Sequence, residues 1–381
     1  YLDADTELRL TEECCDIATP AWIQGLRAFG FAPDGTLYFV RSERGGRRAY
    51  ALGPDGGAVE PVESLAQYDH VEQITPAPRG NHLACIASSP AVPARIVSGR
   101  ANRARVHVRS GSESLSPDQL SQPQAVSWSG ADGCTVYGLY YPPTSEQFVG
   151  TGKPPLVVNV HGGPTSSVEM GFEARAQYFA TRGWAFLDLD YRGSTGHGRP
   201  YMEALRGKWG VSDVEDALSG AQHLCDEGLA DGQRLVLCGG SAGGYTVLRA
   251  LAVHPGFFRA GLCLYGISNL FSLAADTHKF EARYLDSLLG PLPDAAPTYR
   301  ERSPIFCADA MRDPIAIFQG SADRVVPPAQ AEEIVASLRQ RGVPHVYHLY
   351  EGEGHGWRRP ETIEQFYRDV DAFLREYVLF A

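Results

Sequence analysis

The sequence predicts an α/β protein with an all-β portion in front of it, and three observations predict this. From Pro154 onward, short β-rich runs alternate with amphipathic helical patterns. Before about residue 120 there are instead short alternating runs punctuated by turn signals. Between them in importance stands residues 234–245, an apolar run that breaks into glycines around Ser241. Strands alternating with helices imply a mainly parallel sheet covered on both faces. Right-handed crossovers then put the functional loops at the carboxyl ends of the strands.

In the first 121 residues the strand-like runs are 36–40 after Asp34-Gly35, 48–52 before Asp55-Gly56, 82–87 after Arg79-Gly80, and 103–108. This spacing suits propeller blades or a small sandwich. Two blades' worth of strands cannot close a propeller, which usually takes about four to eight blades. Residues 125–128 and 135–141 read as a hairpin-like pair ahead of Pro142-Pro143. The expected division is therefore a partial propeller-like region, 1–121, and an α/β catalytic domain, 122–381. Strands are expected at 156–160, 185–189, 235–238, 260–264, 315–318 and 346–349, and helices at 211–227, 242–254, 329–341 and 362–377.

Composition narrows the function. The 381 residues are 44% hydrophobic and 21% charged, with a formal net charge of -11. That acidity argues against a nucleic-acid or anionic-membrane surface, and no apolar run has the length of a membrane span. Eight cysteines are spread without a C-x-x-C pair or a Cys/His metal spacing, so reduced thiols in a cytoplasmic protein are expected. No metal or cofactor is expected. The absence of an initiator Met at Tyr1 suggests a chain whose natural start lies elsewhere.

Gly239, Ser241 and Gly243 fit G-x-S-x-G, in which a tight strand-to-helix turn lifts a serine above the sheet. Glycine is common enough that this pattern alone is weak. Two further strand ends strengthen it: Asp323 follows 315–318, and His355 follows 346–349 in Gly354-His355-Gly356. The chain order Ser, Asp, His is that of α/β-hydrolases. A serine hydroxyl needs an imidazole to take its proton, and the imidazole needs a carboxylate to fix its tautomer. Ser241 is thus the expected nucleophile, His355 the base and then acid, and Asp323 the orienter. Taken singly, Asp323 also reads as a turn residue before Pro327 and His355 as an ordinary loop histidine.

Acyl transfer also needs donors for an oxyanion. Ala242 N–H at the start of the following helix is one candidate. The other is expected in His161-Gly162-Gly163-Pro164 after 156–160, with Gly163 N–H favoured and Gly162 its competitor, and with His161 structural. Gly162, Tyr191 and Tyr245 are the expected substrate contacts. Tyr191 leads a glycine-rich loop without a P-loop ending. Asp213, Glu215 and Asp216 read as a helix N-terminal turn rather than a metal site.

From about residue 122 onward the chain resembles the catalytic domain of the prolyl oligopeptidase family of serine peptidases, on its acylaminoacyl-peptidase-like branch. The matching stretches are His161-Gly162-Gly163-Pro164, Tyr191-Arg192-Gly193-Ser194-Thr195-Gly196, Trp209-Gly210 with Asp213 to Asp216, Gly239 to Tyr245, Thr277-His278-Lys279-Phe280-Glu281, Arg302-Ser303-Pro304, Gln319 through Asp323 to Pro327, and Glu353-Gly354-His355-Gly356. The resemblance implies an α/β-hydrolase domain beside a β-propeller that restricts access, and activity on short or acylated peptides. Prolyl oligopeptidase itself draws one oxyanion donor from a tyrosine side chain in the loop where this chain has His161 to Pro164, so here the likeness points to backbone amides. The family's propeller is longer than residues 1–121, which resemble its last blades. A longer N-terminal propeller segment, a reduced propeller or a homo-oligomer all agree with this reading. A carboxylesterase or an acyl-transferring, cyclising enzyme would use the same triad; a non-catalytic binding module would have no need of it.

Overall fold

The computed structural model describes residues 2–3, 6–7, 15–17, 20, 22, 24–43, 45–80, 82–100, 103–277, 279 and 281–381. His278 and Phe280, within the stretch 277–281, and Cys14, one of the eight cysteines, lie outside the described residues. A short pair, β1 (Leu2–Asp3) and β2 (Thr6–Glu7), precedes two antiparallel meanders. The first comprises β3 (Phe29–Phe31), β4 (Leu37–Glu43), β5 (Gly46–Leu52) and β6 (Glu60–Pro61). The second comprises β7 (His70–Pro76), β8 (His82–Ser89), β9 (Val92–Arg100) and β10 (Arg103–Arg109). Each has the strand count of a propeller blade, and a single parallel rung, Arg47 opposite His70, joins them. Val71, Ile74, Ala87 and Val97 are buried between the second meander and its neighbour.

The larger sheet comprises β11 (Gln124–Ser129), β12 (Thr135–Tyr141), β13 (Leu156–Val160), β14 (Ala185–Asp190), β15 (Leu235–Gly240), β16 (Ala260–Leu264), β17 (Ile315–Gly320) and β18 (His345–Tyr350). Their spatial order is β11-β12-β14-β13-β15-β16-β17-β18. β12 runs antiparallel to both neighbours, and the pairs from β14 to β18 are parallel. Every residue of β13, β14, β16 and β17 is buried. That is why these strands read as mainly apolar runs, since a parallel strand covered on both faces has no solvent side; the polar residues they hold, Asn159, Asp188, Asp190 and Gln319, are buried and hydrogen-bonded.

Helices α1 (Ala174–Ala180), α2 (Arg199–Glu203), α3 (Ser212–Asp226), α4 (Ala242–Val253), α5 (Leu270–Asp276), α6 (Tyr284–Leu289), α7 (Ala296–Arg302), α8 (Pro304–Cys307), α9 (Pro328–Gln340) and α10 (Pro360–Leu374) complete the domain. α3, α4 and α9 cover one face through Ala217, Leu248 and Leu338. α1 and α10 cover the other through Phe179, Phe366 and Phe373. This is the expected α/β-hydrolase architecture with an all-β portion beside it. Glu169 pairs with both Arg47 and His70, the latter at 3.0 Å, and Met170 N–H donates to the Gly45 carbonyl at 2.8 Å, so the two parts are clasped.

Candidate active site

Ser241 stands between β15 and α4 with φ +57° and ψ −121°. An L-residue rarely adopts a positive φ, and the conformation persists only where its surroundings enforce it. Here the surroundings are tight. A Cβ on Gly239 would lie 2.5 Å from the Gly243 backbone, and one on Gly243 would lie 2.0 Å from the Val160 carbonyl oxygen. The glycines of the motif therefore let α4 begin against the end of β13. Ser241 N–H donates to the Leu264 carbonyl at 3.0 Å, so the serine's own amide is engaged by the next strand.

Asp323 is buried in the turn after β17. Its Oδ1 accepts the amides of Val325 and Val326 at 2.8 and 2.9 Å. Its Oδ2 lies 2.8 Å from His355 Nδ1. A carboxylate can only accept, so the imidazole donates its Nδ1–H and leaves Nε2 able to take a proton. One Asp323 oxygen thus serves the turn and the other the His355 ring. Glu353 holds the histidine loop by accepting Arg358 N–H and Arg359 N–H, each at 3.1 Å.

Tyr265, which the sequence reading passed over, joins these pieces. It follows β16 with φ +39°, an outlier for an aromatic residue. Its ring centroid is 4.6 Å from that of His355, and a Cβ on Gly240 would meet the same ring at 2.8 Å. The ring therefore lies against the histidine and over the residue beside Ser241. Its position at a strand's carboxyl end is the signal that could have found it.

His161 is half-buried and stacked on Tyr191, with ring centroids 4.4 Å apart. Burial pushes its pKa down, against an upward pull from Asp190. Nδ1–H donates to the Gly162 carbonyl at 2.7 Å, since a carbonyl can only accept, and Nε2 lies 2.7 Å from Ser194 Oγ, whose hydroxyl donates to the Tyr191 carbonyl at 2.7 Å. In a trans peptide the C=O and the next N–H point in opposite directions. Fixing the Gly162 carbonyl on His161 thereby turns Gly163 N–H away from the ring. Gly162 itself backs onto Ser241, where an added Cβ would sit 3.4 Å from the serine Cβ.

A narrow cavity of about 40 Å³ opens beside Ser241 and Ala242, bordered by Gly163, Leu273, Tyr284 and Val326. It holds roughly one water's volume. None of the three expected substrate contacts lines it: Gly162 does not border it, and the other two are turned into the core. Tyr191 is buried, with its hydroxyl donating toward the Pro164 carbonyl at 3.0 Å and the His161 carbonyl at 3.2 Å; it props the glycine loop from behind. Tyr245 is fully buried one turn into α4, against Trp209, and donates to the Arg302 carbonyl at 3.1 Å. Both were placed at the site by their neighbours in sequence, whereas the helix and the loop turn them into the core.

Asp213 and Asp216 begin α3 as expected. Asp213 accepts Gly210 N–H at 2.6 Å, and Asp216 takes the Arg192 guanidinium at 2.7 Å. Among the described residues no group of three metal-ligating side chains occurs, and no helix is long and apolar enough to cross a membrane.

The fold is shared with known proteins. Over its whole length the chain superimposes on a Mycobacterium tuberculosis puromycin-hydrolyzing peptidase at 36% identity and a TM-score of 0.94, covering 58% of that chain. A puromycin hydrolase matches at 35% identity and a TM-score of 0.91, over 97% of this chain and 56% of that one. Dipeptidyl aminopeptidase BIII of Pseudoxanthomonas mexicana is 34% identical over 227 residues, which are 58% of this chain and 33% of that protein. The acylamino-acid-releasing enzyme of Arabidopsis thaliana is 28% identical over 230 residues, 58% of this chain and 30% of that protein. The chain thus spans only part of the length of the proteins it matches. The model of the prolyl oligopeptidase family fits residues 170–379, and because that fit runs through more than half of the chain, the protein belongs to the prolyl oligopeptidase family.

Proposed function

We propose that the chain is the catalytic part of a serine peptidase that cleaves short peptides near their amino end through an acyl-enzyme on Ser241. The observation that carries this reading is the His355 Nδ1–H bond to Asp323 together with a serine held at positive φ, the two linked through the Tyr265 ring, which lies against His355 and over Gly240. In the reaction, His355 Nε2 takes the Ser241 hydroxyl proton as Oγ attacks the scissile carbonyl. Charge developing on the carbonyl oxygen is met by Gly163 N–H and Ala242 N–H, whose cost of orientation the fold has already met. Collapse expels the amine, which receives its proton from His355. Water then repeats the sequence on the ester, with His355 again acting first as base. Asp323 steadies the imidazolium in both halves.

Support for a peptide substrate comes from the relatives named for dipeptidyl and acylaminoacyl release and from the puromycin hydrolases. We place the reaction in the cytoplasm. The free Cys85 and Cys263 thiols are buried, which raises their pKa to about 12 and supports packing roles for them. A fluorophosphonate should label wild-type protein on Ser241 and leave Ser241→Ala unlabelled; folded wild type that takes no label overturns the assignment. Aminoacyl anilides should be turned over by the wild type and not by Ser241→Ala, and a wild type that turns over p-nitrophenyl esters of the same acyl groups but leaves the anilides intact would make the enzyme an esterase.

A further inference from the structure

Trp22 belongs to neither sheet. It lies in the segment ahead of β3, and we propose that it is a positioning residue through which the all-β portion holds the wall of the cavity beside Ser241 and so sets which acyl-side residue is accepted. The proposal rests on the reading of Ser241 as nucleophile.

The segment is fastened at one end to the all-β portion. Ser42 N–H donates to the Asp16 carbonyl at 2.8 Å, and Ile17 packs against the buried cluster of Phe39, Tyr50 and Leu52. From there it reaches two loops of the larger sheet. The Asp16 carboxylate accepts Gly196 N–H at 2.5 Å and Gly198 N–H at 3.3 Å. The Trp22 indole N–H donates to the Thr165 carbonyl at 2.8 Å, and its ring stands edge-on to Tyr284, with centroids 5.6 Å apart and an interplanar angle of 76°.

Those two contacts converge. The Tyr284 hydroxyl accepts Thr165 N–H at 3.0 Å and shares a hydrogen bond with Thr165 Oγ1 at 2.6 Å. Thr165 follows Gly163-Pro164, whereas Tyr284 begins α6, far along the chain, and borders the cavity. Trp22, Thr165 and Tyr284 therefore form one clasp that ties the glycine loop to the cavity wall. In a cavity of about 40 Å³, small displacements of one wall change which side chain fits. Loosening the wall penalises a small side chain, which loses contact, more than a large one, which gains room.

The test compares the wild-type chain with Trp22→Ala, Trp22→Leu and Trp22→Phe on alanyl and phenylalanyl anilides. Trp22→Ala should raise KM for the alanyl substrate about fivefold while kcat stays within about twofold. The phenylalanyl-to-alanyl ratio of kcat/KM should rise at least about threefold. Trp22→Leu, which keeps bulk but removes both the donor and the ring edge, should shift the ratio likewise and decides the matter if the alanine variant does not fold. Trp22→Phe, which retains a ring edge for Tyr284, should recover most of the wild-type ratio. A ratio unchanged in folded Trp22→Ala or Trp22→Leu, or a uniform loss on both substrates, overturns the proposal. Fluorophosphonate labelling run in parallel separates the two ideas: labelled variants with unchanged selectivity remove Trp22, whereas an unlabelled wild type removes the nucleophile.

Discussion

Replacing Gly243 with alanine should damage catalysis more than its distance from the hydroxyl suggests. The added Cβ would lie 2.0 Å from the Val160 carbonyl oxygen, 2.8 Å from its carbon and 2.9 Å from the His161 carbonyl oxygen. Carbon-to-oxygen contacts relax only beyond about 3.3 Å, so the start of α4 and the end of β13 must part by about 1 Å. All three obstructing atoms are backbone, and no side chain can swing aside. Overpacking of this kind costs about 1–3 kcal/mol, or roughly 2–8 °C in Tm for a domain of this size. The separation opens between Ala242 and Gly163, the two proposed oxyanion donors, where a misplacement of about 1 Å costs about 100-fold. Anilide kcat/KM and a thermal melt on the same preparation measure both effects. Gly354→Ala is the control: it adjoins His355, yet a Cβ there meets nothing within 4 Å. A Gly243→Ala enzyme with kcat/KM within about threefold of wild type would refute the argument that this contact sets the geometry of the site.

Asp323→Asn should lower kcat by about 10⁴ while barely moving Tm. The asparagine oxygen can still serve the Val325 and Val326 amides, but its NH₂ cannot accept from His355, which is left in the wrong tautomer; a stopped-flow burst of undiminished rate would contradict this. Glu169 gives a pH prediction. Burial raises its carboxyl pKa, but the bonds from His70 and Arg47 outweigh burial and leave it below the ordinary 4.5. The stabilisation is thus fully present above about pH 4.5 and is lost as pH falls through the lowered folded value. Glu169→Gln should melt a few degrees below wild type at pH 6–7, with the two curves converging towards pH 3. A gap that stays constant over that range would show that the carboxylate is not its source.

The parts legible in the sequence were those whose physics is local. β13, β14, β16 and β17 announced themselves because strands buried on both faces are mostly apolar, with the few polar residues they hold, Asn159, Asp188, Asp190 and Gln319, buried as well. The elbow showed because close backbone approach requires glycine at Gly239 and Gly243. Asp323 and His355 could be paired because each follows its own strand. In the all-β portion, β7 and β9 escaped notice for local reasons too: β7 carries a bulge with Gln73 at φ +56°, and β9 is broken by Pro93 and polar residues. Tyr191 and Tyr245 were misjudged because proximity in sequence does not say which way a side chain turns. α4 is buried almost from end to end, so a tyrosine four residues after the serine has only the core to enter. Tyr265 and the Trp22 clasp depend on contacts between distant segments, for which no short pattern exists.

Val160 faces Gly239 across the β13–β15 ladder. Gly163 lies three residues beyond the first, and Ala242 three residues beyond the second. The two proposed donors are thus measured off from one shared rung, and that rung acts as the gauge for the gap between them. Changing the length of either three-residue span would slide one donor past the other by about 3.3 Å per residue, enough to close the gap as a site. Length changes on the far side of the rung, in the exposed stretch before Pro154, leave the gauge untouched. Tolerance to insertion should therefore switch from high to nil within a few residues along β13, at a boundary set by pairing rather than by distance from Ser241.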